Sequence, residues 1–586
     1  MPITRLNFEY DGMRHESSGA HSRGFWIEAY NEDATISISA TNGRPSYVYV
    51  LHQNDSIYDW EEYAWSGVFN YKIAANSRIY ISAYSNNNQQ YLLSFNANKP
   101  YKVGGNIFSL IDINNFNNIT EISHQFVRFL NSTTLIDASN LILSATTLSK
   151  ICYYSMFQGC SSLTTAPSLP ATTLAEGCYS SMFQGCSSLT AAPLLPATTL
   201  SDSCYAGMFK GCTSLNTAPV LPATTLADSC YSNMFNGCTS LTTPPSILPA
   251  TTLARACYES MFANCTSLTT APELPATTLA ESCYNNMFYW CTRLTTAPEL
   301  PATTLADWCY YRMFIWCYRL TSAPALPATT LAYSCYAEMF FDCESLTTAP
   351  ALPATTLTVS CYELMFKRCK GLTSAPALPA TTLAPRCYNN MFEECTSLTT
   401  PPSILPATTL VQSCYYCMFN GCTSLTTAPT LPATTLVQSC YSSMFMGCTS
   451  LTSAPALPAT TLASSCYSRM FESCTSLTTA PALPVTTLVD GCYYRMFSGC
   501  SNLTTAPELP ATTLVNGCYS QMFMSCSSLN YIKALFTTNP AIGLNTNDWV
   551  YGVASSGTFV KSINATWIAV GTYAVPEGWA IETDNS

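Results

Sequence analysis

Apolar positions recur along most of this chain in a fixed order, separated by Ser, Thr and Gly. In one copy of the pattern they fall at i, i+4, i+5, i+8, i+9 and i+12, namely Leu200, Cys204, Tyr205, Met208, Phe209 and Cys212. A stripe with this spacing is typical of a helix that buries one face. The Thr-bearing stretch after Cys212 closes at Pro219, as a short strand would. The pattern therefore predicts one helix, capped by Thr198 or Thr199, and one short strand in every copy.

The pattern is repeated fifteen times between Cys152 and Cys526, in units of 26 or 27 residues. A repeat of this length predicts a solenoid, because each unit can bury its apolar face only against its neighbours. We therefore expect an α/β solenoid, a curved stack with short parallel strands on its concave side and helices on its convex side. Parallel strands about 4.8 Å apart would make a ladder on the order of 70 Å long.

Four segments of the chain differ in pattern. Residues 1–110 lack cysteine and alternate aromatic with β-branched residues, which predicts a small all-β, sandwich-like domain. Residues 111–151 contain a degenerate copy of the repeat and form the predicted N-terminal cap. The solenoid spans residues 152–530. Residues 531–586 are predicted to form a C-terminal cap, whose tryptophans would cover the last unit.

Charge narrows the range of partners. Only 10% of the 586 residues are charged, and the formal net charge is -11. Nucleic acid is disfavoured as a partner, because phosphate binding needs a concentrated basic surface. No stretch approaches the length of a membrane span, and the N-terminus has no basic segment followed by an apolar one. We expect no membrane insertion and no cleaved signal.

The 31 cysteines supply two per unit and one extra, Cys417. Two cysteines eight residues apart on a helix would be separated by about 12 Å, beyond the ~7 Å reach of a disulfide. Equivalent cysteines on neighbouring helices would be roughly 10 Å apart. We therefore expect thiols that fill the core, with no disulfide and no metal site, since no CxxC pair or histidine accompanies them. Cys417 occupies a variable position and is predicted to be the one accessible thiol.

Three phrases of the repeat carry a resemblance: Leu-Pro-Ala-Thr-Thr-Leu-Ala, Cys-Tyr-x-x-Met-Phe-x-Gly-Cys and Thr-Ser-Leu-Thr-Thr-Ala-Pro. They resemble the BspA-like leucine-rich repeats of gut Bacteroidales and of the phages that infect them. Flanking segments at 105–110, 138–143 and 552–561 are similar to the same group, so the resemblance covers roughly residues 104–586. It implies a leucine-rich-repeat scaffold and a group generally described as adhesive or uncharacterised.

The resemblance also bears on location. Bacterial surface proteins of this group are expected to carry an export signal, and this chain shows none. We therefore expect a phage virion component assembled in the host cytoplasm, with a bacterial cell-surface or secreted adhesin as the alternative. The N-terminal domain would dock on other virion proteins, and the solenoid would bind a host surface protein or a glycan. A homo-oligomer is a further possibility.

Departures from the repeat consensus point to a candidate binding surface. Most units place Ser, Asn, Gly or Gln at the variable positions around Cys-Tyr-x-x-Met-Phe-x-x-Cys, but units six to nine place large or charged side chains there. Because positions of equal phase stack on one another, these residues would form one strip with the composition of a binding hot spot. The candidate residues are Tyr289, Trp290, Arg293, Trp308, Tyr311, Arg312, Ile315, Trp316, Tyr318, Arg319, Tyr333 and Phe341.

Other interpretations of the surface remain open. The large residues could pack between units, with drift in a tolerant repeat producing the rest. A partner at the strip could be another protein of the same particle, a second copy of this chain, or a glycan stacked on aromatic faces. The Thr-rich strands are a second candidate surface, although Thr suits strands for structural reasons alone.

No arrangement of residues suggests catalysis. The four histidines, His15, His21, His52 and His124, precede the repeats without a Cys, Ser or carboxylate set at triad or metal spacing. Carboxylates are sparse in the repeats, which disfavours a glycosidase pair. We therefore expect a structural and binding protein that is not an enzyme, with no catalytic residues and no cofactor.

Overall fold

A computed structural model describes residues 24–41, 47–55, 61–65, 67–84, 92–110, 120–122, 126–540 and 544–584. The chain divides into two units, of which the first comprises residues 1–276 and 287–293. The second comprises residues 277–286 and 294–586. Of the four histidines, His52 lies in the described part, and the other three lie outside it.

The first unit begins with two β-sheets. Their strands are β1 (Trp26–Ala29), β2 (Ala34–Thr41), β3 (Tyr47–His52), β4 (Glu61–Ala64), β5 (Phe69–Ile73), β6 (Arg78–Tyr84), β7 (Leu92–Ala97) and β8 (Tyr101–Asn106). Alternating apolar residues such as Ile36 and Ile38 are buried, as expected for strands that cover a core with one face. The rings of Phe25, Phe95 and Phe129 meet at centroid distances of 5.0 to 5.6 Å.

The larger sheet continues beyond the N-terminal strands. A short 3₁₀ helix (Ile107–Leu110) is followed by β9 (Glu121–Ile122), β10 (Leu135–Ile142) and β11 (Thr147–Leu148). The six-stranded sheet has the order β10-β8-β1-β6-β3-β4, and the smaller sheet has the order β5-β2-β7. β10 runs parallel to β8, while Asp137 forms a parallel bridge to Thr165 of the first repeat. The sheet thereby leads directly into the repeats.

Each repeat forms one coil, and one-residue parallel bridges join many of the neighbouring coils. One kind of bridge joins the second residue after a buried Leu, as in Thr217 to Thr243, and another joins the second Thr of Ala-Thr-Thr, as in Thr199 to Thr225. The short parallel strands that the sequence predicts therefore reduce to single bridges. Thr199 belongs to a bridge and does not cap a helix.

The predicted helix is wrong: across the described residues of the repeats, the Cys-Tyr-x-x-Met-Phe-x-x-Cys segment is a ribbon of overlapping turns. The amides of Ser180 and Met182 donate to the carbonyl oxygens three residues earlier, whereas the amides of Tyr179 and Ser181 donate to the next coil. Amides thus alternate between their own turn and the neighbouring coil. We call this segment of each coil the turn ribbon.

The core consists of identical side chains stacked in columns. In the first unit, the rings of Tyr179 and Tyr205 stack at 5.8 Å, and those of Phe183 and Phe209 stack at 5.6 Å. In the second unit, Tyr336 and Tyr362 stack at the same distance as the first pair. Parallel rings at this spacing place every aromatic side chain against its own equivalent. The stacking therefore holds successive coils in register.

The second unit ends in three parallel strands, β12 (Tyr531–Ala534), β13 (Thr558–Ser562) and β14 (Ala580–Asp584). Trp549 is fully buried and lies against the rings of Tyr519 and Phe523 at 6.1 and 6.0 Å. Its indole N–H donates to the carbonyl oxygen of Ala574 at 2.9 Å. One tryptophan thus covers the last rings of both aromatic columns. Among the described residues, no helix is long and apolar enough to cross a membrane.

Candidate functional site

Three positions of every turn ribbon adopt a positive φ. They are the residue before the first Cys, the residue before Met and the residue before the second Cys, as in Ser203, Gly207 and Gly211, with φ of 52°, 61° and 74°. Each is the third residue of a turn closed by an i to i+3 hydrogen bond, a position that in type II turns favours Gly or Asn. The Gly, Ser and Asn of the consensus therefore reflect backbone geometry.

Several candidate residues occupy these left-handed positions. Trp290, Trp308, Arg312 and Trp316 have φ of 57°, 53°, 56° and 62°. For an L-residue this conformation costs about 1–2 kcal/mol, because Cβ approaches the following carbonyl oxygen. Bulky side chains thus occur where the turn ribbon would accept Gly at lower cost.

In the first unit, three candidate residues lie at one end of a turn ribbon. Trp290 is 43% exposed, and its ring lies 6.4 Å from that of Tyr289. Tyr289 is half-buried, while Arg293 is exposed. These residues present one large exposed aromatic face.

In the second unit, two neighbouring coils carry the other candidates. The rings of Trp308 and Tyr333 meet edge to face at 5.1 Å and an interplanar angle of 83°. Tyr333 is 42% exposed, and its amide donates to Asp307 Oδ1 at 2.9 Å. Because its backbone and its ring are both held, Tyr333 presents a fixed face to solvent.

Glu338 organises the middle of the same surface. Its carboxylate accepts two hydrogen bonds from the Arg312 guanidinium, at 2.9 and 3.0 Å, and one from the Tyr311 hydroxyl at 3.0 Å. Burial and then the negative charge of Glu338 raise the pKa of Tyr311 to about 12, so its hydroxyl remains a donor. Sequence reasoning missed Glu338, although it stands 26 residues after Arg312 and hence at the same phase.

The remaining candidates divide by exposure. Trp316 and Tyr318 are half-buried, and Arg319 is exposed. Phe341 is half-buried beneath the Lys367 ammonium, which lies 5.9 Å from its ring. Ile315 is only 3% exposed, so its side chain belongs to the core and not to the exposed strip. We define the aromatic surface as the side chains of Trp308, Tyr311, Trp316, Tyr318 and Tyr333.

In the later coils, charged residues replace the Ser, Asn or Gly of the repeat consensus, and these charged residues form ion pairs with one another. Arg368 bridges Asp342 and Glu394 at 3.5 and 3.6 Å, and all three occupy the residue before the second Cys of successive coils. Lys367 contacts Glu393 at 2.8 Å in the same manner one position earlier. Burial raises the pKa of Asp342, while Arg368 partly opposes that rise. These charges neutralise each other within the stack, which leaves the aromatic residues as the stronger binding candidates.

Cys417 is not the accessible thiol that its variable position suggested. It is 5% exposed, and burial raises its pKa to about 11. The residue occupies a left-handed position, with φ of 51°, and its side chain turns into the stack. The prediction failed because a variable position of the ribbon is not always an exposed one.

A shallow cleft between proline-bearing turns is lined by Pro324, Leu326, Pro327 and Pro350, with no titratable side chain. The described part of the chain contains no cluster of three or more His, Cys, Asp or Glu residues that could hold a metal ion. His52 lies 2.7 Å from the Tyr71 hydroxyl, which also donates to Glu61, so these polar groups of β3, β4 and β5 satisfy one another.

Stacked coils with buried leucines define a leucine-rich-repeat solenoid. A family model described as "BspA type Leucine rich repeat region (6 copies)" matches residues 137–257, 207–347, 359–504 and 465–540. Because these matches cover more than half of the chain, the protein belongs to the BspA-type leucine-rich-repeat family. No curated protein matches it.

One solved structure is similar at low identity, the "Crystal structure of TLR13-ssRNA13 complex". The sequences are 13% identical, the TM-score is 0.22, and the match covers 74% of this chain. The chain spans about half the length of that protein, 49% of it.

Proposed function

We propose that this chain is a non-enzymatic binding protein whose second unit attaches to a partner through the aromatic surface. The observation that carries the proposal is the backbone conformation of Trp308 and Trp316. Both hold a positive φ that costs free energy, at positions where most other coils place Ser or Gly. Strained residues of this kind cluster at functional sites, because function can compensate for their cost.

The geometry of the surface suits attachment. Its tyrosines and tryptophans combine large apolar area with polar tips, which is the composition of interface hot spots. Trp308 fixes the ring of Tyr333, and Glu338 fixes the hydroxyl of Tyr311. Side chains that are already ordered lose less conformational entropy on binding, so the same contacts give higher affinity.

We place this activity on a phage particle. The solenoid would project as a fibre or decoration that binds a host surface protein or glycan, while the N-terminal sheets dock on other virion proteins. The resemblance of the repeats to the BspA-like repeats of phages that infect gut Bacteroidales supports this placement. A bacterial surface adhesin is the competing assignment.

Attachment is tested with the full chain, labelled and incubated with intact gut bacteria and with an array of immobilised glycans. Saturable binding to at least one cell type or glycan is expected. Absence of saturable binding in both assays would contradict the binding role.

Location is tested separately by antibody labelling of purified particles and of intact cells. The virion assignment predicts label on particles from lysates of infected cells. Label confined to the surface of uninfected bacteria would replace it by the adhesin.

A further inference from the structure

We propose that this protein must complete its folding where thiols are kept reduced, and that the folded repeats then shield those thiols from oxidation. The inference goes beyond binding, because it concerns how the chain is made and where it can persist. It rests on the position of every thiol in the repeats.

The cysteines form two buried columns in each unit. All 31 are buried and free, and the two that belong to each repeat are 0% exposed. The second Cys of a coil donates its S–H to the Phe carbonyl of the preceding coil, as in Cys212 to Phe183 and Cys343 to Phe314, both at 3.1 Å. The thiols are therefore packed and anchored, with no route for an oxidant that does not open the coil.

Burial suppresses the ionisation of the thiols as well as the access of oxidants to them. Burial raises the pKa of Cys178, Cys238 and Cys335 to about 12, against the ordinary thiol value of about 8.5. Only the thiolate attacks a disulfide, so a raised pKa slows exchange at neutral pH. In the native state, the thiols are protected because oxidants cannot reach them and because few of them are ionised.

The unfolded chain lacks both protections. Its thiols alternate at spacings of 8 and 18 residues over most of the repeats, so each has several partners within a short loop. Closing such loops costs little entropy, since the cost rises only slowly with loop length. Two Cys thiols and one glutathione disulfide would yield one intrachain disulfide and two glutathione molecules, with the thiol protons and electrons transferred to glutathione.

A bridge at a spacing of 8 or 18 residues would join a cysteine of one column to a cysteine of the other. In the second column the thiols lie against carbonyl oxygens, as Cys212 does against Phe183, and a bridge would draw two sulfurs to about 2.05 Å. The surrounding Tyr and Phe columns pack ring against ring, so the core cannot follow that movement without losing its contacts. Oxidation of the unfolded chain therefore traps it outside the native state.

The test compares the folded and the urea-unfolded full chain in glutathione disulfide, followed by removal of the oxidant and a thiol titration in denaturant. The folded sample is expected to retain nearly all 31 thiols, and the unfolded sample to lose most of them. On dilution from urea, the oxidised sample should refold at least tenfold less than a reduced one, and dithiothreitol should restore refolding.

Two results would overturn the inference. One is loss of thiols from the folded protein at the rate seen in urea. The other is equal refolding with and without glutathione disulfide. Neither measurement involves a binding partner, so the proposal can fail while the binding role stands, and the reverse.

Discussion

Single positions of the turn ribbon are governed by the sign of φ. A residue before Met or before the second Cys has a left-handed backbone, whereas its neighbours do not. Sequence reasoning treated all these variable positions as equivalent surface, so it could not separate backbone requirements from exposure. Cys417 and Ile315 show the consequence, because both occupy variable positions and both are buried.

A matched pair of serines tests this conformational rule. Ser443 has φ of 55° and Ser442 lies beside it without a positive φ, while both are buried, at 4% and 6% exposure. Ser443→Gly should raise the free energy of unfolding by about 0.5–1 kcal/mol, and Ser442→Gly should lower it by a similar amount. Urea unfolding of the two variants measures both. Equal changes in the free energy of unfolding would show that the sign of φ does not matter at these positions.

The tyrosine column carries an unusual cost. The hydroxyls of Tyr205, Tyr362 and Tyr441 are buried without a hydrogen-bond partner. An unsatisfied buried hydroxyl costs about 1–3 kcal/mol, so Tyr205→Phe should leave stability unchanged or increase it. Tyr205→Ala should lower stability by about 3–5 kcal/mol, because it leaves a cavity in the column. Thermal unfolding distinguishes these outcomes, and a strongly destabilised Phe variant would reveal a partner for the hydroxyl.

At the scale of the element, the period of the apolar stripe explains why a helix was predicted. Cys204, Met208 and Cys212 repeat every four residues, which resembles the 3.6-residue period of a helix over so short a window. A second signal favoured turns: Gly, Ser or Asn precedes many of these residues, at the same four-residue spacing. Helices disfavour glycine at every fourth position, so this pattern could have identified the turn ribbon. The repeat itself, the buried cysteines and the stacking of equal phases were predictable, because they follow from periodicity alone.

The turn ribbon makes a direct spectroscopic prediction. The full chain should show no α-helical double minimum in far-ultraviolet circular dichroism, since its repeats consist of turns and single bridges in the described residues. A spectrum with enough α-helix to include the Cys-Tyr-x-x-Met-Phe-x-x-Cys segments would contradict the turn ribbon.

Charge pairs between coils are expected to set their register. Arg312 and Glu338 occupy equivalent left-handed positions on neighbouring coils, so exchanging them alters no backbone requirement. Arg312→Glu should destabilise the protein by more than about 1 kcal/mol, because Glu338 is mostly buried and would face a like charge. The double variant Arg312→Glu, Glu338→Arg should recover most of that loss. Unfolding measurements that show no recovery would exclude a direct pair.

At the scale of the whole molecule, uniform coils supply a scaffold, and we propose that the departures supply recognition. The repeat pattern accounts for the buried Leu, Tyr, Met, Phe and Cys positions, but it does not require Trp308 or Trp316. The sequence could locate these residues because the repeat provides its own internal comparison. It could not show that the later charged residues neutralise one another, since this depends on distances between coils.

Cell binding by matched variants tests the role of the aromatic surface. The variant Trp308→Ser, Trp316→Ser, Tyr333→Ser should fold normally, because other coils carry Ser at each of these positions. A control variant, Tyr416→Ser, Tyr494→Ser, Tyr551→Ser, removes three tyrosines outside the aromatic surface. Trp290→Ser, made separately, tests the exposed ring of the first unit.

The measurement is the dissociation constant for cells that the unaltered chain binds, together with the melting temperature of each variant. We predict at least tenfold weaker binding by the Trp308, Trp316 and Tyr333 variant and unaltered binding by the control variant. The melting temperatures of these variants and of the unaltered chain should be similar. Unaltered binding by a folded Trp308, Trp316 and Tyr333 variant would contradict the proposed role of the aromatic surface.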